Sequence, residues 1–218
     1  MTHSAICFDT VLPAAAQLPV LSAALPNARL WGGLPAQDGA VAESFAALHA
    51  AEGFAVQDVA TAGQLRRLGW RGPIALLPGA ASARALEPCS RLGLWHTVAC
   101  EAHIDWLAAH KSQQPQQVLL GAGAGGFAPA RLRSVHARLS ALPQVDAVTL
   151  WAQAPDVPAA AALATALQTI SADWPGQRSL VVPLALDAVA TLLQPLQALA
   201  DQAEHQAWDL EVICIPCG

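Results

Sequence analysis

Short apolar runs alternate with longer Ala- and Leu-rich stretches over most of the chain. The runs at 29–34, 53–57, 74–78, 95–100, 117–121, 147–153, 179–184 and 209–216 predict eight strands, and a lead-in strand or turn is expected at 5–8. Helices fill the intervals. Asp9 or Thr10 caps the first and Asp38 the second. Asp58 caps a third, which carries Thr61 and Gln64 in its first turns and ends at Gly69. Ser82 precedes a fourth, Glu101 opens a fifth, and Pro129 starts a sixth at a position where its missing N–H costs nothing. Longer helices are predicted at 158–172 and 187–205, the last interrupted and kinked by Pro195.

The strands are apolar at successive positions, so both of their faces are buried. That pattern demands a parallel sheet covered by helices. Eight strand–helix units predict a single-domain α/β fold, a closed (β/α)8 barrel of TIM type spanning residues 1–218. An open doubly wound sheet is the competing arrangement.

Composition narrows the function classes. With 54% hydrophobic and 12% charged residues, the chain can bury a large core. No apolar stretch approaches the roughly 18 residues of a membrane span. The opening MTHSAICFDT lacks the basic region of an export signal. The five cysteines are scattered and odd in number, which suits free thiols and a cytoplasmic location. A net charge of -5 and the lack of a basic run argue against a nucleic-acid partner. One lysine, Lys111, and no tyrosine are present.

In such a barrel, ligands bind where strands end. The residues there are Pro35, Gln37, Asp38, Gln57, Asp58, Cys100, Glu101, Gln153, Asp156, Asp187, Cys214 and Cys217. They include neither histidine nor lysine. GAGAGG at 121–126, with Gly121, Gly123 and Gly125, follows a strand and precedes a helix. Its N–H groups could cradle a phosphate, or its small residues could simply allow a tight turn. It matches neither the P-loop nor the dinucleotide pattern. Cys214 and Cys217 form C-x-x-C with no helix after it to lower a thiol pKa, so inert thiols are expected. His96, His103, His110 and His136 lack metal-ligand spacing and read as packed or solvated. Trp31 and Trp151 lie in strands and read as core, with pocket lining as the alternative.

The segment 25–79 (LPNARLWGGLPAQDGAVAESFAALHAAEGFAVQDVATAGQLRRLGWRGPIALLPG) resembles the N-terminal barrel of alanine racemases. So do ARLRSVHARLSALPQVDAVTLWAQAP and the ending EVICIPCG. The resemblance implies a barrel that binds pyridoxal phosphate as an imine on a lysine ending the first strand. That position holds Pro35, which has no amine. The family's strand-five lysine and arginine fall in LLGAGAGG, its strand-six histidine at Gln153, and its phosphate-binding run at 183–187. Its pyridine-contacting arginine falls near Glu211, and the tyrosine ending strand eight at Cys217.

The expectation from this pattern is a non-catalytic racemase-like barrel that binds a small molecule or a protein, without imine-bound pyridoxal phosphate or a metal. The candidate ligand positions are Pro35, Gln37, Asp38, Gln57, Gly121, Gly123, Gly125, Gln153, Glu211 and Cys217. Two alternatives use the same mouth. One is an enzyme of another class built on Asp38, Asp58, Cys100, Glu101 and Glu211; the other is phosphate-ligand binding at 121–126. Apolar surface left where the family's second domain packs favours a homo- or hetero-oligomer.

Overall fold

The computed structural model describes residues 14–34, 41–112, 114–123 and 125–216. The elements run α1 (Ala14–Ala24), β1 (Arg29–Leu34), α2 (Val41–Ala47), β2 (Gly53–Val56), α3 (Val59–Arg67), β3 (Ile74–Leu76), α4 (Leu86–Leu92), β4 (Trp95–Val98) and α5 (Glu101–Ala109). They continue with β5 (Gln116–Gly123), α6 (Pro129–Ser140), β6 (Val145–Gln153), α7 (Val157–Ala166), α8 (Gln168–Ser171), β7 (Arg178–Ala185), α9 (Val189–His205) and β8 (Asp209–Ile215). Each strand pairs in parallel with the next, and β8 returns to β1 through Arg29↔Glu211 and Trp31↔Ile213. The sheet is therefore a closed eight-stranded barrel, as the pattern of apolar runs predicts, and the open sheet is ruled out.

Side-chain alternation along the strands builds two cores. Trp31, Ala55, Ala75, Leu119, Trp151, Val181 and Ile213 fill the barrel interior, with Leu77 and Trp95 packed against them. Leu30, Leu34, Val56, Leu120, Leu150 and Val212 point outward and are covered by the helices. Both faces of the strands are buried, which is why the runs are continuously apolar. Inside the barrel Trp31 meets Trp95 at 5.5 Å and Trp151 at 5.8 Å, both edge to face. Trp31 and Trp151 are thus core residues, each 1% exposed.

Caps follow the sequence where they are described. Asp58 accepts from Thr61 N at 2.7 Å and ends β2 in α3. Gly69, at φ 99°, turns the chain out of that helix. Ser82 precedes a short 3-10 turn without capping it, and α4 begins only at Leu86. The predicted helix at 158–172 divides into α7 and α8 at Leu167, whose φ of -92° and ψ of 0° depart from the helical well. This break seats Leu167 in the core at 1% exposure. The last helix starts at Val189 after a 3-10 turn and continues through Pro195. Asp9, Thr10, Asp38 and the lead-in at 5–8 lie outside the described residues. Among the described residues, no helix is long and apolar enough to cross a membrane.

Candidate functional site

The strand C-termini form one end of the barrel, and the loops into α3, α5, α6, α7 and α9 surround it. Pro35, Gln37, Asp38 and Cys217 lie outside the described residues. Gln57 is exposed on the bend after β2, and Gln153 is half-buried as the last residue of β6. Many neighbouring carboxylates already have structural work. Asp58 bonds Thr61, Asp156 accepts from Ala159 N at 2.8 Å, and Glu101 pairs with Arg131 and Arg138 on α6. Gln57, Cys100, Gln153 and Asp187 are the mouth side chains without such partners among the described residues.

One histidine does sit at this end, contrary to the sequence expectation. His103 lies in the first turn of α5, and a helical side chain leans toward the helix N-terminus. Its Nδ1 accepts from Ala99 N at 3.2 Å. Burial holds the imidazole below its ordinary pKa. With its ring engaged on backbone, His103 pins the end of β4 against the turn after β3. Gly79, at φ 74°, makes this possible: a Cβ there would fall 2.2 Å from Thr97 O and 2.8 Å from the His103 ring. The position of His103 three residues after a strand-end Cys100 was the available signal.

The glycine loop has a packing explanation. A Cβ on Gly126 would lie 2.4 Å from Gly121 O, and one on Gly123, at φ 92°, 2.8 Å from Gln153 O. Phe127 N closes the turn on Gly121 O at 2.9 Å. Gly125 also has positive φ, at 80°. The small residues allow β5 to fold back tightly into α6.

Glu211 is not at the mouth. It is the third residue of β8 and pairs with Arg29 at the start of β1, in the N-terminal half of the barrel. It accepts from Trp31 Nε1 at 2.5 Å, Ser179 Oγ at 2.8 Å and Arg29 at 3.1 Å. Burial raises its carboxyl pKa, while the Trp31 hydrogen bond and the Arg29 charge pull it down. Three donors satisfy it, so it acts as an interior brace tying β1, β7 and β8. Its expected role at a ligand site is withdrawn. Cys214 is fully buried and its thiol is pushed up to about 12 by desolvation, which fits the inert reading. Among the described residues, no group of three His, Cys, Asp or Glu side chains could hold a metal.

Residues 21–182 match the family model described as alanine racemase, N-terminal domain. The chain belongs to that family. Among its relatives is the alanine racemase of Methylibium petroleiphilum, 50% identical over 167 residues, covering 72% of this chain and 46% of the relative. The alanine racemase of Delftia acidovorans is 43% identical over 218 residues, covering 86% of this chain and 58% of the relative. The chain therefore spans about half the length of the curated relatives it matches. The biosynthetic alanine racemase of Pseudomonas aeruginosa shares the fold with a TM-score of 0.72 at 23% identity, covering 93% of this chain and 55% of that one. The expectation of a non-catalytic barrel, with its alternatives from other classes, is overturned here. Relatives 43–50% identical are alanine racemases, and an alanine racemase N-terminal domain points to an enzyme.

The family binds pyridoxal phosphate. The chain's one lysine, Lys111, follows α5. The helices run antiparallel to the strands, so Lys111 lies on the N-terminal face of the barrel, opposite the mouth.

Proposed function

We propose that this chain is the barrel portion of an enzyme of the alanine racemase family that acts on a small α-amino acid at the C-terminal mouth. The observation carrying this reading is 43–50% identity to alanine racemases over 72–86% of the chain. The reaction does not run through an imine on a lysine of this barrel, because the chain's one lysine faces the other end. Removing and returning an α-proton needs groups that exchange protons. Among the described residues, Cys100 after β4 and Asp187 after β7 are the acidic groups at the mouth with no structural partner. The free thiols Cys89, Cys100 and Cys214 suit a reducing, cytoplasmic setting.

The test is α-proton exchange of L- and D-alanine in D2O, followed by NMR together with chiral analysis, with and without added pyridoxal phosphate. Exchange is expected, and Cys100→Ser and Asp187→Asn should each slow it by about two orders of magnitude. After incubation with pyridoxal phosphate in the absence of amino acid, followed by gel filtration, no visible imine band removable by borohydride should remain on the chain. Absence of exchange with any small amino acid overturns the enzyme reading. An imine band lost in Lys111→Ala overturns the statement about the cofactor.

A further inference from the structure

The chain's positive charge is unevenly placed. Residues 59–99 carry Arg66, Arg67, Arg71, Arg84 and Arg91 against one acid, Glu87, in a protein of net charge -5. Arg66 and Arg67 end α3, Arg91 lies in the last turn of α4, and Lys111 follows α5. Ion pairs among the described residues use other arginines: Arg29, Arg131, Arg133 and Arg138. Arg66 is held in place by neutral acceptors alone. Its guanidinium donates to Leu92 O at 2.9 Å, Trp70 O at 3.1 Å and Gly72 O at 2.7 Å. Its charge is therefore oriented but uncompensated, and burial and then the nearby Arg71 charge disfavour it.

A cation in the last turn of a helix is favoured by the helix dipole, which accounts for each arginine singly. It does not account for their convergence on two adjoining cavities. The first, of about 450 Å³, lies between α3 and α4, with Arg66, Arg67 and Arg91 over an apolar floor of Val59, Ala60 and Leu92. The second, of about 160 Å³, is lined by Arg91 again with Ser90, His110, Lys111 and Glu87. Its inner wall is built: Ser90 Oγ donates to Gln116 Oε1 at 3.2 Å and lies 2.9 Å from His110 Nε2. Gln116 Oε1 also meets His96 Nε2 at 2.7 Å.

We infer that these two cavities, joined at Arg91 on the N-terminal side of the barrel, bind a small oxyanion carrying two phosphate-type groups. One group would sit at Arg91 and Lys111, and the second along the α3–α4 groove beside Arg67. Both are open clefts, and a concave cleft with convergent cations fits a small anion better than the flat contact of a protein partner. Two cavities sharing Arg91 suit two linked anionic groups, since a guanidinium fork can bond both. Its cations Arg67, Arg91 and Lys111 lie at the N-terminal end of the barrel, and the inference stands apart from the enzyme reading.

The test is calorimetric titration of the full chain with inorganic pyrophosphate and with inorganic phosphate, at ionic strength fixed with chloride. Pyrophosphate should bind saturably and about tenfold tighter than phosphate. Arg91→Gln should weaken pyrophosphate by about tenfold or more, and Lys111→Gln by a smaller factor. Asp201→Asn, in the acidic groove between α1 and α9, should leave binding unchanged. Circular dichroism checks that each variant is folded. No saturable binding of pyrophosphate overturns the site, as does equal affinity in Arg91→Gln. Capture of polyglutamate without pyrophosphate binding also overturns it, in favour of an acidic polypeptide.

Discussion

A methyl group added at Gly53 would sit 2.5 Å from the Trp31 ring. The barrel interior is filled to that tolerance, so Gly53→Ala should cost about 1–3 kcal/mol, read as a lower urea midpoint with an unchanged slope. Retention of the parent midpoint would mean the indole has room to move. Glu211 is set by long-range pairing instead. Its position in the chain was legible, but its depth was not, because depth is set by the β1–β8 register across 180 residues. His96, His103 and His136 are all held below their ordinary 6.5 by burial. Unfolding returns them to that value, so the unfolded chain takes up protons first as pH falls. The stability they lend is fully present above pH 6.5 and is lost below it, as pH falls through their depressed folded values. Glu211 has the opposite sign: its raised pKa adds stability as pH falls toward 4.5. Urea midpoints measured from about pH 7.5 down to about pH 5.5 should therefore fall, and fall less steeply in His96→Gln. An identical slope in that variant would show that His96 does not contribute.

At the scale of elements, caps and strand cores were readable because they depend on neighbours in sequence. Asp58 accepts from both Thr61 N and Thr61 Oγ1, at 2.7 and 3.0 Å. Asp58→Ala should cost about 1 kcal/mol in thermal or urea unfolding, while Asp58→Asn keeps most of it. A silent alanine would show that the cap is replaced by water. Strand ends were less readable. β5 extends beyond its predicted ends because Gln116 meets Val145 and Gly123 meets Gln153, partners about 30 residues away. The GAGAGG run was ambiguous for another reason. Its composition suits a tight turn and also admits a phosphate cradle, and the closeness of Gly126 to Gly121 O gives the small residues a packing reason that composition does not show. His103 lies two residues beyond Glu101, inside α5, where the strand-end pattern gives no sign of it.

For the whole molecule, closure of the barrel followed from eight continuously apolar runs, and the structure brings them into one ring. Function was far less legible. Residue types were counted correctly, with Pro35 and one distant lysine, yet absence of a cofactor lysine says nothing of what other groups at a mouth can do. Identity of 43–50% to alanine racemases supplied the class that counting could not. Charge was similarly hidden in the total, since -5 averages an arginine-rich flank against an acidic remainder.

The three interior indoles have an optical consequence. Trp31 stands 5.5 Å from Trp95 and 5.8 Å from Trp151, at 66° and 87°. Chromophores so close share their excited states, and their near-ultraviolet dichroism records the mutual angle of rings borne by β1, β4 and β6. The chain has seven tryptophans, four phenylalanines and no tyrosine, so its aromatic spectrum is almost wholly indole. The barrel thus carries its own spectroscopic gauge of closure, read without a label from the residues that fill it.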